Sequence, residues 1–552
     1  MNKKLLPILG AFSCLATLQA DESISGAAGM QAVATPLSNK AEPMKIGQFQ
    51  PNWDSLKQYQ VPDWYRDAKF GIWAHWGPQC APEDGDWYAR SMYMQGNRQY
   101  KSHLAKYGHP SVSGFKDIIP TWKADKFDPD ALISLYKDAG AKFFVALANH
   151  HDNFDNYDSK YQPWNSVALG PKKDLIGAWA KAARAHGLPF GVSVHAAHAW
   201  SWYETSQGSD KTGDKAGVPY DGKMTKADGK GLWWHGLDPQ DLYAQNHAPG
   251  KLVWEWDATK GSSVPDAAYC EKFYNRTMDL VNKYKPDILY FDDTVLPLYP
   301  ISDVGLKIAA HYYNSNAQWH GGKNEGVLLG KVLNDEQKKC MVWDVERGAS
   351  PKIEPFPWQS ETCLGNWHYD RTVYDRHGYK SAGTVIRTLA DVVSKNGTFL
   401  LSVPVRSDGT IDEQEVEIVK QVGKWMKVNS EAIYSTRPWK VCGEGPAIDK
   451  PAEIKAQGFN EGKIKLGADD IRFTTRGGAL YAIVLGIPDK DITFKSLGTA
   501  AKLLDQPVGS ISLVGSTEMI HWNQADDALT ITKPAQFPSE NAIVFKITPK
   551  LP

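Results

Sequence analysis

The feature that most constrains the fold is the alternation of short apolar runs with amphipathic segments over residues 61–440. Helix start and stop signals separate the runs, as where Asp128-Pro129-Asp130 opens a predicted helix and Gly140 ends it. Alternating strands and helices predict a parallel sheet, and this length suits an α/β fold, a (β/α) TIM-like barrel. The predicted strands are Lys69–Trp76, Phe143–Ala148, Phe190–His195, Ile288–Phe291, Met341–Val345 and Thr398–Val403.

Two regions depart from this alternation. Residues 204–266 are rich in Gly, Asp and Lys, and we expect them to form a large insertion at the functional face of the barrel. Residues 450–552 carry short alternating apolar runs separated by turn residues. That pattern predicts a C-terminal antiparallel β-sandwich.

The N-terminus has the pattern of a secretory signal peptide over residues 1–20. Lys3 and Lys4 precede an apolar run, Leu5–Leu18, and the small residue Ala20 precedes acidic residues. Residues 21–60 are predicted to be a tether and lead-in. The apolar run is shorter than the ~20 residues of a membrane span, and no later stretch is apolar enough. We therefore expect a protein exported to the periplasm or the medium, without a membrane span.

Net charge and cysteine content limit the classes of partner and metal that the chain is expected to bind. The 62 basic and 63 acidic residues leave a net charge of −1, which argues against nucleic acid as the main partner. Five cysteines follow the signal segment without a C-x-x-C pair, so no zinc site is predicted. No cofactor is predicted either. Disulfide pairing and oligomeric state stay open. The 21 Trp and 24 Tyr fit either a heavy core or platforms for sugar rings.

Polar side chains follow the predicted strands at one end, where barrel enzymes carry their catalytic groups. Successive side chains of a strand point to opposite faces, so adjacent histidines favour hydrogen bonding to sugar hydroxyls over metal ligation. Glycoside cleavage needs two carboxyl groups, and Asp292 and Glu346 end different strands. The polar groups at strand ends are His75, His150, His151, His195, Asp292, Asp293, Glu346 and Arg347.

Nine ordered segments between Trp64 and Trp439 resemble the α-L-fucosidases of glycoside hydrolase family 29. Three places differ from the family pattern. Asp86 stands where a glutamate is usual, Asp293 where a glycine is common, and Ser402-Val403-Pro404 where the family often has Asn, Val and Gly-Pro. The insertion 204–266 has no counterpart that we can place. The similar segments are Lys69–Gly77, Asp86–Tyr88, His150–Asp152, Asp158–Tyr161, Trp164–Ser166, Gly170–Leu175, Pro286–Asp292, Ser394–Val403 and Glu431–Pro438.

The resemblance implies a retaining mechanism with Asp292 as the nucleophile. Its neighbour Asp293 is the main alternative, and strand alternation predicts that the two side chains point to different sides. Glu346 is the expected acid/base, with Glu354 on a loop and Glu361 on a strand as alternatives. The acid/base is expected to have a raised pKa and to lie roughly 5–5.5 Å from the nucleophile.

The resemblance also implies a set of substrate contacts. His75, Asp86, Trp87, His150, His151 and Tyr290 match family positions, whereas His195, Trp200 and Arg347 are proposed as binding residues from their places beside the strand ends. The implied function is that of an exo-acting α-L-fucosidase that releases terminal L-fucose from oligosaccharides or polysaccharides. The alternatives are a non-catalytic carbohydrate-binding barrel and a glycosidase for a related sugar such as galactose.

Overall fold

The computed structural model describes residues 31–454 and 458–550. The predicted signal peptide, 1–20, and the first ten residues of the predicted tether lie outside the described residues. Residues Trp53–Leu56 and Asp63–Ala68 form short helices that lead into the first strand.

Eight parallel strands close into a barrel in sequence order, which confirms the predicted fold class. Closure is made by β1 and β8, where Phe70 pairs with Phe399. The strands are β1 (Phe70–Ala74), β2 (Phe144–Asn149), β3 (Phe190–Val194), β4 (Ile288–Phe291), β5 (Val327–Gly330), β6 (Val342–Glu346), β7 (Trp358–Cys363) and β8 (Gly397–Ser402).

The bounds of six of these strands agree with the predicted runs to within two residues. Strands β5 and β7 were not predicted from the sequence. Strand β5 has only four apolar residues, too few to show a period. Strand β7 has four consecutive polar residues, Gln359 to Thr362, although it is buried throughout. Its polar side chains Gln359 and Glu361 hydrogen-bond inside the barrel, so burial there does not follow hydrophobicity.

Amphipathic helices form the outer layer. Most begin with an Asp or Ser side chain that accepts a hydrogen bond from a free N–H of the first turn, as Asp128 does from Ala131. The longer helices are Arg98–Tyr107, Pro129–Asp138, Leu175–Ala185, Ala267–Tyr284, Val304–Trp319, Ala382–Ser394 and Glu413–Asn429. The shorter ones are Tyr88–Ser91, Phe115–Ile118, Ala199–Trp202, Pro239–Tyr243, Arg371–Asp375 and Pro446–Asp449.

The connection from β6 to β7 contains no helix, and a segment from beyond the barrel borders it. The N–H of Phe459 donates to the carbonyl of Glu346 at 2.7 Å, and that of Glu461 donates to the carbonyl of Arg347 at 2.9 Å. A segment of the C-terminal region therefore packs against the carboxyl end of β6.

The C-terminal region consists of two antiparallel sheets, as predicted. The five-stranded sheet has the order β13-β16-β11-β10-β9 and the three-stranded sheet the order β12-β15-β14. Phe473, Phe494 and Phe545 belong to the shared core. The strands are β9 (Arg437–Glu444), β10 (Ile471–Arg476), β11 (Ala479–Val484), β12 (Ile492–Phe494), β13 (Val508–Leu513), β14 (Trp522–Gln524), β15 (Leu529–Ile531) and β16 (Ile543–Pro549). Strand β9 begins before residue 440, within the range assigned to the barrel.

Within the described residues, no helix has the length and apolarity needed to cross a bilayer. The five cysteines of that part of the chain are free thiols, four of them buried. The insertion 204–266 has short turns of helix and no strand of the two domains.

Candidate active site

Five buried histidines form one polar floor at the carboxyl ends of the strands. His75 follows β1, His150 and His151 follow β2, His195 follows β3, and His368 lies beyond β7. The ring of His368 lies 4.7 Å from that of His75 and 4.9 Å from that of His150. Burial lowers the pKa of His75 and His150 well below the usual value, and that of His195 to about 4. The imidazoles of His75, His150 and His195 are therefore neutral, able both to donate and to accept hydrogen bonds.

Two triplets within this floor have spacing that a metal ion would also accept. Ligand nitrogens of His75, His150 and His368 lie within 4.8 Å of one another, as do those of His150, His151 and His195. Both ring nitrogens of His75 and of His368 have no hydrogen-bond partner among the described residues. These unsatisfied groups need a polar ligand, and sugar hydroxyls would supply both donors and acceptors.

Asp292 follows β4 and points into the floor. Its Oδ2 accepts a hydrogen bond from Nδ1 of His195 at 2.8 Å and lies 3.6 Å from Nε2 of His151. Its Oδ1 is paired with the ammonium of Lys331. Burial raises the pKa of Asp292, but Lys331 and His195 outweigh that effect and hold the pKa well below its usual value. Asp292 is therefore ionised.

Lys331 joins Asp292 to a second carboxylate. The lysine comes directly after β5, and its Nζ lies 2.5 Å from Oε2 of Glu346 and 3.2 Å from Oε1 of Glu361. Its side chain is only 3% exposed. Lys331 was not predicted as a site residue, because β5 was not recognised from the sequence and the lysine that follows it did not stand out as a strand-end residue.

Exposure separates Glu346 from Glu361. The side chains of Asp292 and Glu346 are 21% and 17% exposed, whereas that of Glu361 is 1% exposed. Burial raises the pKa of both glutamates, and most strongly that of Glu361. Glu346 can therefore reach a bound ligand while keeping a proton more readily than an ordinary glutamate.

Glu361 belongs to a layer inside the barrel. The hydroxyl of Tyr290 donates to Glu361 at 2.8 Å and lies 3.2 Å from Oδ2 of Asp344. Burial raises the pKa of Asp344 to about 7. Glu354 lies apart from these carboxyl groups. It accepts a hydrogen bond from the hydroxyl of Ser350. Tyr290, a predicted substrate contact, is therefore fully buried beneath the histidines.

Asp293 points away from Asp292, as strand alternation predicted. Its Oδ1 accepts hydrogen bonds from Nε2 of His198 at 2.8 Å and from the N–H of Thr294 at 2.7 Å. The ring of His198 stacks on Trp256 of the insertion, with centroids 4.5 Å apart. Asp293 thus helps to hold the insertion against the barrel.

Three partly exposed tryptophans surround the floor. Trp254 of the insertion lies 5.3 Å from His151 and 5.7 Å from Trp87, measured between ring centroids. On the other side, Trp367 lies 5.5 Å from His75. Polar groups at the bottom and aromatic rings around them form the kind of pocket that binds sugars. Nothing in the sequence distinguishes Trp254 and Trp367 from tryptophans of the core, so they were not predicted as pocket residues.

Comparison with known proteins assigns the family. The α-L-fucosidase family model matches residues 37–431, and the model of the α-L-fucosidase C-terminal domain matches residues 467–548. The chain belongs to the α-L-fucosidase family. Rat tissue α-L-fucosidase is 25% identical over 525 residues, covering 91% of this chain and 92% of that protein. The human tissue enzyme is 24% identical and covers 92% and 93%.

Solved structures agree on the fold. The crystal structure of Thermotoga maritima α-fucosidase covers 91% of this chain and all of its own, with a TM-score of 0.64 and 24% identity. α-L-Fucosidase isoenzyme 1 from Paenibacillus thiaminolyticus gives a TM-score of 0.60 and 20% identity, covering 90% and 100%. As a member of this family of glycoside hydrolases, the chain pairs the barrel with a C-terminal β domain.

Three predicted contacts have other partners. Asp86 accepts hydrogen bonds from the N–H groups of Trp367, at 3.1 Å, and His368, at 2.6 Å. It therefore orders the loop that brings these two side chains to the pocket. Trp200 stacks on His247 of the insertion, with centroids 4.0 Å apart. Nε of Arg347 lies 3.4 Å from Glu461, beside Glu346.

Proposed function

We propose that this protein is an exo-acting retaining α-L-fucosidase, which releases terminal L-fucose through a covalent fucosyl-enzyme. One observation carries the proposal: Asp292 and Glu346 end different strands, reach solvent, and have pKa values shifted in opposite directions. Such a division between two carboxyl groups assigns one as the ionised nucleophile and the other as the proton donor. It also disfavours a purely carbohydrate-binding barrel, which has no need of it.

The shared lysine supports retention over inversion. Asp292 and Glu346 each hydrogen-bond to the same nitrogen of Lys331. Two hydrogen bonds of about 3 Å cap the separation of the bonded oxygens at about 6 Å. Retaining enzymes place their carboxyl groups about 5–5.5 Å apart, whereas inverting enzymes leave about 6.5–9.5 Å for a water molecule.

In the first step the carboxylate of Asp292 attacks the anomeric carbon while the carboxyl group of Glu346 protonates the departing oxygen. Glu346 is then an anion, which the adjacent ammonium of Lys331 stabilises. In the second step Glu346 takes a proton from water, and the water oxygen displaces Asp292. Lys331 acts as a positioning residue that keeps Asp292 ionised.

Recognition of the sugar is proposed to divide between the floor and the walls of the pocket. The neutral His75 and His150 exchange hydrogen bonds with ring hydroxyls. Trp87, Trp254 and Trp367 supply apolar surface for the sugar face and the C6 methyl group. L-Galactose differs from L-fucose by a C6 hydroxyl, so an apolar C6 site would discriminate between these two sugars.

The test is hydrolysis of 4-nitrophenyl α-L-fucoside followed by proton NMR of the first sugar released. We expect α-L-fucose to appear first and to equilibrate later to the β anomer. The matched aryl α-L-galactoside is expected to react more slowly. Release of the β anomer first contradicts retention, and no turnover by folded protein favours the binding-protein alternative.

Export to the periplasm or medium is a further part of the proposal, supported by the sequence pattern of residues 1–20. Expression of the full chain in a bacterial host, followed by N-terminal sequencing of the mature protein, tests it. A mature N-terminus at Asp21 is expected. An intact Met1 on all of the protein would contradict it.

A further inference from the structure

Two adjoining cavities lie on the outside of the barrel, where the link between β6 and β7 has no helix. Their volumes are about 200 and 330 Å³, and they share Ala349, Asp391, Ile464 and Lys465 in their linings. The helix Ala382–Ser394 forms one side, and the segment between β9 and β10 forms the other. We call the smaller cavity the lateral cleft.

The base of the lateral cleft holds two buried cations on one carboxylate. Oδ1 of Asp391 pairs with Nε of Arg472 at 2.6 Å, and its Oδ2 pairs with Nζ of Lys395 at 2.8 Å. The Arg472 side chain is 0% exposed. Nη1 of Arg472 also lies 4.0 Å from Oδ1 of Asp470, a buried carboxylate, so two carboxylates balance the two cations at the base.

Arg472 also has an unused donor. Its Nη1 donates to the carbonyl of Ile471 at 2.9 Å, but its Nη2 has no hydrogen-bond partner among the described residues. Buried guanidinium N–H groups are normally satisfied, so this atom indicates a missing acceptor.

The rim of the lateral cleft is also positively charged. Lys450, Lys463 and Lys465 line it, are exposed, and form no ion pair within residues 31–454 and 458–550. With Lys395 and Arg472 they make five cations. Asp391 is the one carboxylate lining this cleft within the described residues, and Asp470 lies 4.0 Å from Arg472 outside the lining. A chain with a net charge of −1 thus concentrates positive charge at one cavity.

We propose that the lateral cleft is a binding site for a sulfate group, either the free anion or a sulfate ester carried by a glycan. Arg472 contributes the buried donor, and the three rim lysines contribute attraction and further donors. The site lies outside the barrel, away from the pocket of Asp292, and its occupancy does not depend on the proposed hydrolysis.

The first arm measures sulfate itself. Thermal unfolding of the full chain is followed in sodium sulfate and in sodium chloride at equal ionic strength. Sulfate is expected to raise Tm more than chloride does. The triple variant K450Q/K463Q/K465Q is expected to lose most of that excess, because its substitutions remove exposed charges and no core contact. The matched control K101Q/K106Q/K424Q replaces three exposed lysines elsewhere and should behave as wild type.

The second arm distinguishes the sources of sulfate. Calorimetric titration with a sulfated oligosaccharide and its desulfated form measures whether a glycan ester is accepted. At least tenfold tighter binding of the sulfated form, reduced at least tenfold in the cleft variant and not in the control, assigns the site to a glycan. Binding of inorganic sulfate alone, with the same dependence on the rim lysines, assigns it to the free anion.

Arg472→Met tests the base of the lateral cleft, with circular dichroism to verify folding. Loss of the sulfate effect in this folded variant supports the assigned donor. Equal responses of wild type, cleft variant and control to sulfate, together with equal binding of both oligosaccharide forms, overturn the proposal. Aryl fucoside hydrolysis is measured in parallel, so that failure of the cleft is distinguishable from failure of the proposed activity.

Discussion

Two layers of carboxyl groups meet at Lys331, and they differ in depth. The upper layer, Asp292 and Glu346, reaches solvent at the mouth of the barrel, whereas the lower layer, Asp344 and Glu361, is sealed inside it. All four carboxyl groups interact electrostatically with the ammonium of Lys331. The pKa of Asp292 nevertheless falls well below its usual value, while that of Asp344 rises to about 7 and that of Glu361 rises well above its usual value.

The difference teaches that pairing with one cation does not decide the charge state, since Glu346 also pairs with Lys331 and has a raised pKa. The pKa of Asp292 is lowered by the charge of Lys331 and by interactions with His195 and His151. Glu361 instead meets Asp344 inside the barrel, where repulsion adds to the cost of burial. The proposed catalytic pair thus lies in the layer that reaches solvent, and the sealed layer beneath it has raised pKa values.

The largest effect is expected from Asp292→Ala. Removal of the nucleophile leaves no group to form the covalent intermediate, so kcat should fall by about 10⁴-fold or more. Initial rates on an aryl α-L-fucoside measure this. Asp293→Asn is the matched control, since its carboxylate points to His198 and not to the floor. If Asp292→Ala keeps its activity while Asp293→Asn loses it, the assignment of the nucleophile is wrong.

Glu346→Ala should have the next largest effect, and one that depends on the leaving group. General acid–base catalysis contributes about 10²–10⁴-fold, and a good aryl leaving group needs little of it in the first step. We therefore expect a smaller loss on nitrophenyl fucoside than on a fucosyl disaccharide, with azide restoring turnover as fucosyl azide. Glu354→Ala is the control, because that side chain is held by Ser350 away from the layers. Azide rescue in a Glu361 variant alone would reassign the acid/base.

Lys331→Met should reduce kcat by about 10²–10³-fold, as expected for the loss of one electrostatic partner of the reacting groups. Lys331 lowers the pKa of both Asp292 and Glu346, so its removal raises both. Activity depends on ionised Asp292 and protonated Glu346, and both limbs of the pH–rate profile should therefore move to higher pH. Lys331→Arg should restore much of the wild-type profile. Unmoved limbs with a reduced rate would indicate a purely structural role.

Glu361→Gln should have the smallest effect on rate, within about tenfold and thus below the range of general acid–base catalysis. The raised pKa keeps Glu361 protonated when the chain is folded, and glutamine has a similar shape. Its stability should change with pH, however. Above a pH of about 4.5 the unfolded chain loses this proton and the folded chain keeps it, which destabilises the wild type as pH rises. The Tm of the variant relative to wild type should therefore increase with pH, and a constant difference would show that Glu361 is ionised.

Some of this site was predictable from local pattern. Asp292 and Glu346 end recognisable apolar runs, and a barrel brings all strand ends to one face. The same reasoning found His75, His150 and His195. It missed His368, because that residue lies beyond β7 in a loop with no periodic signal. Tyr290 was predicted as a contact from the family resemblance, and the structure buries its side chain, which hydrogen-bonds to Glu361.

The sequence by itself determined the barrel, the antiparallel C-terminal domain and the two carboxyl groups at the carboxyl ends of β4 and β6, because the pattern of each apolar run and of the helix signals between the runs is a local property. Only the tertiary structure decided which glutamate reaches solvent, that Lys331 joins the layers, and that Trp254 and Trp367 become pocket walls. Those outcomes depend on depth of burial and on contacts between distant segments. Neither quantity is encoded in the spacing of residues along the chain.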